Sequence, residues 1–217
     1  RDRIIPKQIQ DLLVDHTNIL WIGTQDKGLY KLDLENHTFY NSTDFISNPR
    51  LSRFPVTAIS EDKRGNIWFG LQQGGGLVVL KDKEFKQSFI DGINKSWKPA
   101  LINKKSKKFK NSSFFEIKRL LNDSKDNMWV GAKGKVSKVE YLKSTSSYNI
   151  TTYDSIKDVN DNKILNTVFA LEEDSYENIW VGYWIDGLVK MSFDKKKKTY
   201  TTKNYQFSKD DPKSLSN

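Results

Sequence analysis

Apolar and polar residues alternate along this chain in short runs, and the runs recur. An apolar pair three positions apart, Ile9 and Leu12, precedes Asp15; Val56 and Ile59 precede Asp62, Ile117 and Leu120 precede Asp123, and Val168 and Leu171 precede Asp174. Each pair predicts the first strand, A, of a unit. A polar stretch follows each Asp, then strand B carries Trp21, Trp68, Trp129 or Trp180, six positions after the Asp, with Gly two positions further on. Strand C opens with Gly28-Leu29, Gly76-Leu77 or Gly187-Leu188 and ends on Leu32, Leu80 or Met191. The third copy has Lys135-Val136 and Val139 in those places, which predicts a different B-to-C turn. Aromatic runs then predict strand D: Phe39-Tyr40, Phe85 to Phe89, Tyr148 to Tyr153 and Tyr200 to Tyr205. A helical period shows only as a weak run at Phe114 to Leu121, which the repeat frame assigns to strand A.

Four of the six tryptophans occupy this frame, at steps of 47, 61 and 51 residues. That spacing suits one supersecondary unit of four strands with variable loops, as in a propeller blade. The predicted fold is therefore all-β, a β-propeller of four blades of four antiparallel strands, at 7–45, 54–92, 115–154 and 166–206. The chain begins at Arg1 without a Met, and Ser214-Leu-Ser-Asn217 reads as the approach to another strand A. Propellers of this repeat style have about seven blades, so the expectation is part of a larger ring.

The repeated residues read as structure. Trp21, Trp68, Trp129 and Trp180 serve best as wedges between neighbouring sheets, each burying on the order of 150–250 Å². The glycines after them permit close backbone approach, and Asp15, Asp62, Asp123 and Asp174 cap tight turns. Asn18, Gly65, Asp126 and Glu177 stand where such a turn needs an unusual φ.

The second copy, Asp62-Lys-Arg-Gly-Asn-Ile-Trp68-Phe-Gly70, and the fourth, Asp174-Ser-Tyr-Glu-Asn-Ile-Trp180-Val-Gly182, resemble the two-component regulator propeller repeat. The first shares Thr24 as well, and the third is the most diverged; together the four copies span nearly the whole chain. The resemblance implies a non-catalytic periplasmic sensor of a hybrid two-component system of the Bacteroides type, detecting oligosaccharides, with histidine kinase domains elsewhere in the parent chain. It also implies further blades as partners and signalling through a homodimer.

Composition narrows the chemistry. Among 217 residues there is no cysteine, which excludes disulfides, thiolate metal sites and a Cys nucleophile. The first residues lack the apolar core of a signal peptide, and no run of about 18 apolar residues marks a membrane span. His16 and His37, the two histidines, fall in or beside turns of the first unit, poorly placed for the acid–base chemistry of a streptogramin-lyase-like propeller. Asp158-Val-Asn160-Asp-Asn162 begins like a calcium loop but lacks its Gly and final Glu, so no metal or other cofactor is assigned. Glu172 and Glu173 point to opposite faces of a strand and cannot act together.

Ligand contacts are expected in loops carried by a rigid sheet stack. In a propeller the D-to-A and B-to-C connections reach one face, and the D-to-A connections here vary most: Asn41 to Pro55, Ile90 to Ser113 and Asp154 to Asn166. Trp97, in the second, and Trp184, in the fourth B-to-C loop, are the tryptophans outside the frame. Sugar rings pack on aromatic faces while polar side chains bond their hydroxyls, so the candidate glycan rim is Trp184, Tyr183, Asp186, Trp97, Gln72, Gln73, Arg50 and Arg53. The bland alternative packs Trp97 on its own loop and Trp184 on a neighbouring blade. The formal charge is +9, concentrated in the lysines from Lys95 to Lys110 and in Lys195 to Lys198. The first run reads as a solvated loop or as an attraction for an acidic oligosaccharide; without interleaved aromatics, nucleic acid ranks last. A protein-interaction scaffold using the same face and a propeller lyase are the alternative functions.

Overall fold

The structure, a computed structural model, describes residues 8–45, 54–73, 76–81, 100–102, 116–209 and 214–215. Its strands form four antiparallel four-stranded meanders. The first contains β1 (Ile9–Val14), β2 (Ile19–Thr24), β3 (Leu29–Asp33) and β4 (Thr38–Asn41), and one helical turn, α1 (Ser42–Phe45), follows it. The second contains β5 (Val56–Glu61), β6 (Ile67–Leu71), β7 (Gly76–Leu80) and β8 (Ala100–Ile102). The third is β9 (Arg119–Asn122), β10 (Met128–Ala132), β11 (Lys135–Leu142) and β12 (Ser147–Tyr153); the fourth is β13 (Val168–Glu173), β14 (Ile179–Tyr183), β15 (Leu188–Asp194) and β16 (Thr199–Tyr205). These are propeller blades, and they fall into two compact units, residues 1–120 and 121–217.

One strand lies elsewhere than the sequence indicates. The fourth strand of the second sheet is Ala100–Ile102, paired with Val79, Val78 and Leu77, whereas the aromatic run Phe85 to Phe89 lies outside the described residues. A continuous apolar run suits a ladder position beside the buried β7 better than one interrupted by Glu84 and Lys86. The insertion therefore divides between the C-to-D and D-to-A connections, and Trp97 precedes the fourth strand in the chain.

The conserved geometry of every blade is a five-residue turn closed by its Asp. The Asp Oδ1 accepts the backbone N–H groups two and four residues on: Thr17 and Ile19 at 2.9 and 3.0 Å, and Lys125 and Asn127 at 2.9 and 2.8 Å. The second and fourth turns repeat this. Its residue three positions after the Asp turns left-handed, with φ of 65°, 76°, 64° and 62° at Asn18, Gly65, Asp126 and Glu177. The other carboxylate oxygen accepts the indole N–H of the strand-B tryptophan, at 2.7 Å in the first blade, 2.8 Å in the second and third and 2.9 Å in the fourth. Asn66, Asn127 and Asn178 add side-chain donors to both oxygens, while in the first blade the Thr17 hydroxyl donates to Oδ1 alone.

A cation faces most of these carboxylates. In register opposite Trp21 stands Lys31, buried over the Tyr40 ring at 4.8 Å; burial lowers its ammonium to about 8, while Asp33, Asp15 and Asp44 hold it up. Lys190, opposite Trp180, lies 3.9 Å from Asp174 and 5.3 Å from the Trp180 ring centre. The second blade has Val79 opposite Trp68, and there Arg64 reaches Asp62 at 2.7 Å instead. In the third, Lys138 opposite Trp129 pairs with Glu140.

Sheet-to-sheet packing follows from the framed tryptophans and glycines. Within the first unit Trp21 packs with Val56 and Ile59 of the next strand A; within the second, Trp129 packs with Val168 and Leu171. A Cβ on Gly23 would lie 2.8 Å from the Val56 carbonyl oxygen, and one on Gly131 would lie 2.5 Å from Val168 Cγ1, so glycine is required where the next strand A crosses. Polar staples lock the turns of the same pairs. Glu61 accepts the His16 backbone N–H at 3.1 Å and meets its imidazole Nδ1; Glu173 accepts the Ser124 N–H and hydroxyl at 2.6 and 2.8 Å.

Two expectations arise from this packing. Trp68→Ala removes a side chain 1% exposed and one of the donors to the buried Asp62 carboxylate, so chemical denaturation should register a loss of about 3–5 kcal/mol; an unchanged midpoint would contradict the core role of the framed tryptophans. The Asp174 carboxyl would rise through burial, but the Asn178 side chain and N–H, the Trp180 indole and the Tyr176 N–H bring it down to about 2, below the ordinary 3.8. Folding thus favours its charged form, and its contribution is complete above the unfolded value and is lost as pH falls from about 4 through about 2. Thermal melts across that range should fall less steeply in Asp174→Asn than in the wild type.

Candidate functional site

The B-to-C hairpins and the D-to-A connections come together in each unit, and the backbone shows how. In the first unit the Thr24 N–H and hydroxyl bond the Gly28 carbonyl at 3.0 and 2.8 Å, closing the hairpin over Gln25–Lys27. The Gln25 N–H then donates to the Gln8 carbonyl at 2.9 Å, and the Gln72 N–H to that of Pro55 at 3.0 Å, tying each hairpin to the start of its own strand A. Gln25 Nε2 donates to Gln72 Oε1 at 3.3 Å across the two blades. Gln73 is exposed with φ 54°. The first unit thus sets a bridged glutamine pair beside a third, exposed glutamine.

The second unit carries the aromatic part. The Tyr183 N–H bonds the Gly187 carbonyl at 2.9 Å, and the Trp184 N–H bonds the Thr167 carbonyl at 3.1 Å, so the Trp184 backbone is held to strand A. Its indole stands 66% exposed, inclined against the Phe169 ring with centres 4.8 Å apart, and Ile185 beside it is exposed as well. Asp186 Oδ2 accepts from Asn166 Nδ2 at 2.7 Å, and the Asp186 carbonyl accepts from Gln206 at 3.0 Å. The third blade joins through its own tight turn, Lys133-Gly134, where Gly134 has φ 68° and donates to the Asn166 carbonyl at 2.9 Å. Lys133 bridges to Thr167. This two-residue hairpin is the departure that Lys135-Val136 signals in the sequence.

The D-to-A connection at 154–166 is itself ordered. Asp158 repeats the blade turn: its Oδ1 accepts the Asn160 and Asn162 N–H groups at 2.8 Å each, and Asp161 adopts φ 66°. Ile156 and Ile164 anchor this small hairpin in the second unit's core. The Asp158 oxygens are thus engaged by backbone and by Asn162, and among the described residues no cluster of three metal-ligating side chains occurs.

Of the sequence candidates, Trp184, Asp186, Gln72 and Gln73 lie on these connections. Tyr183 requires a correction: its side chain is 7% exposed and packs in the core with Val168 and Val189, and burial, aided by the charge of Asp186, pushes its phenol up. Alternation along β14 turns it inward when Trp184 turns out. Trp97, Arg50 and Arg53 lie outside the described residues, as do the lysines from Lys95 to Lys110. Gln25, Asn166 and Phe169 belong with the candidates. Gln25 was legible in principle, since Gln25, Gln72, Lys133 and Trp184 each stand four positions after a framed tryptophan. His16 and His37 lie in the A-to-B and C-to-D turns, and Lys195 to Lys198 form an exposed C-to-D turn, with Asp194 accepting two of its N–H groups.

Residues 52–73, the second blade's A and B strands, match the family model described as two component regulator propeller. No protein of curated function matches the sequence. Among solved structures, the chain is similar to two extracellular domains from B. thetaiotaomicron described as belonging to hybrid two component systems. One is 19% identical with a TM-score of 0.61 over 90% of this chain and 23% of that one; the other is 18% identical with a TM-score of 0.66 over 100% and 24%. The chain therefore spans about a quarter of their length. Virginiamycin B lyase from Staphylococcus aureus is similar at 12% identity and a TM-score of 0.61, over 94% of this chain and 58% of that one. At these identities the likeness is one of fold, the β-propeller. Among the described residues no helix is long and apolar enough to cross a membrane.

Proposed function

From a chain that carries the two component regulator propeller repeat, we propose a non-catalytic sensor module of a hybrid two-component system, exposed on the periplasmic side and binding an oligosaccharide. The observation that carries the reading is the Trp184 indole, exposed and braced against Phe169, with the Asp186 carboxylate held beside it by Asn166. An exposed indole offers a flat apolar face to the C–H side of a sugar ring, and a positioned carboxylate and amide take its hydroxyls. Gln25, Gln72 and Gln73 supply the same polar chemistry in the first unit. With a net charge of +9 an acidic glycan gains from long-range attraction, which salt would weaken. Binding acts by population shift, favouring one arrangement of the sensor and the domains attached to it.

A lyase reading has less support. The solved lyase relatives include a catalytically inactive histidine-to-alanine variant, whereas His16 and His37 here sit in A-to-B and C-to-D turns, away from the B-to-C hairpins, and His16 is engaged by Glu61. A protein-binding scaffold would use the same apolar ledge of Trp184, Ile185 and Leu165. Calorimetric titration with a panel of neutral and acidic glycan fragments separates these readings. Trp184→Ala is expected to weaken binding at least about tenfold, about 1.4 kcal/mol, while Tyr176→Ala, exposed in an A-to-B turn, leaves it unchanged. Equal affinity in Trp184→Ala, or no glycan bound by the wild type, overturns the proposal.

A further inference from the structure

One position of the repeat faces the same position of its neighbour. It is the fourth after each framed tryptophan, held by Gln25 and Gln72 in the first unit and by Lys133 and Trp184 in the second. In the first unit the two side chains meet, Gln25 Nε2 donating to Gln72 Oε1 at 3.3 Å. In the second the backbone sets the pair in one line: Lys133 bridges antiparallel to Thr167, and the Trp184 N–H donates to the Thr167 carbonyl at 3.1 Å, continuing the pairing of Val168 with Tyr183. Residues opposite one another on antiparallel strands project to one face. Lys133 and Trp184 therefore flank Thr167 on one face, their Cα atoms about 10 Å apart. Phe169, two positions beyond Thr167, braces the indole there. The Lys133 side chain is exposed, and among the described residues no carboxylate lies within ion-pair distance of its ammonium and no aromatic ring lies beneath it.

We propose, resting on the oligosaccharide-sensor function above, that this site selects a sugar bearing one anionic substituent, a carboxylate or a sulfate ester, on the ring that packs on Trp184, and that the Lys133 ammonium pairs with it. The surroundings make the selection local. Asp154, Asp158, Asp161 and Asp186 offset Lys133, Lys157 and Lys163 on these connections, so no broad cationic field is present there. Asp161 pairs with Lys157 at 2.7 Å, Asp158 accepts the N–H groups of its own turn, and Asp186 accepts from Asn166. A neutral ring would gain the indole face alone, whereas an anionic one adds a charge-assisted hydrogen bond to Lys133. Charge on the stacked ring is rewarded. Charge spread along the rest of a polyanion meets the aspartates instead.

Calorimetry of the full chain with matched fragments tests this: xylotetraose against xylotriose capped with glucuronic acid, and neutral galactobiose against its monosulfated form, so that carboxylate and sulfate are read separately. The informative quantity is the affinity ratio of the charged to the neutral member. In the wild type it is expected to reach at least about tenfold for one pair or both, the worth of one charge-assisted hydrogen bond. It should fall close to one in Lys133→Gln and persist in Lys133→Arg. Lys197→Gln, which takes the same charge from the exposed C-to-D turn, is expected to keep the wild-type ratio. A wild-type ratio close to one for both pairs, or a preference that survives Lys133→Gln, overturns the role of Lys133 while the oligosaccharide reading still stands on Trp184→Ala. A wild type that binds no fragment of either charge overturns that reading and this one with it.

Discussion

Each blade hangs on one carboxylate. An Asp that closed its turn alone would be a local feature, and a tryptophan buried alone would leave an indole N–H without an acceptor, at a cost of about 1–3 kcal/mol. Joined by a bond of 2.7–2.9 Å, they fix the turn, the register of strand B and the rotamer of the largest core side chain at once. That geometry then fixes the next level. With the indole turned into the interface, the residue two positions on must be a glycine, because the following strand A crosses there. The staples of Glu61 and Glu173 hold those crossings from the turn side. Side chains four positions after the tryptophan are thereby carried out of the packed layers, which is where Gln25, Gln72 and Trp184 stand.

Much of this was legible because it is periodic. The Asp-to-Trp spacing, the apolar pairs of strand A and the left-handed positions at Asn18, Gly65, Asp126 and Glu177 all follow from the repeat frame; the structure has the turns in place in all four blades, and the apolar pairs packed in the core in the second and fourth. What repetition does not encode was missed. The bond between carboxylate and indole joins residues whose separate roles, turn cap and wedge, looked sufficient alone. The strand Ala100–Ile102 lies within an insertion peculiar to one blade, where aromatic content pointed to Phe85–Phe89. Tyr183 and Trp184 are adjacent aromatics in sequence, and only the pleat separates a core phenol from a surface indole.

The site candidates divide along the same line. Gln72, Gln73, Trp184 and Asp186 belong to hairpins whose length the frame defines, so their place on a connection could be read directly. Asn166 and Phe169 enter through partners instead, Asn166 by orienting Asp186 and Phe169 by bracing the exposed indole. A polar residue before a strand and an aromatic within it carry no mark of that role until the loop beside them is in view.

The cation beside the carboxylate bears on how such a chain can change over time. The first and fourth blades place it on strand C, at Lys31 and Lys190, while the second has Val79 there and draws on Arg64 from the turn. Lysine at 79 with Arg64 retained would crowd two positive groups around Asp62, and valine without Arg64 would leave that carboxylate uncompensated. Positions 64 and 79 are thus coupled: a change at one alters the charge the other meets around Asp62, whereas the third blade carries a lysine at both places, Lys125 and Lys138, and directs them to Glu177 and Glu140. Repeats that look freely divergent would then drift along coupled pairs, and a consensus blade assembled column by column could combine residues that no single blade tolerates.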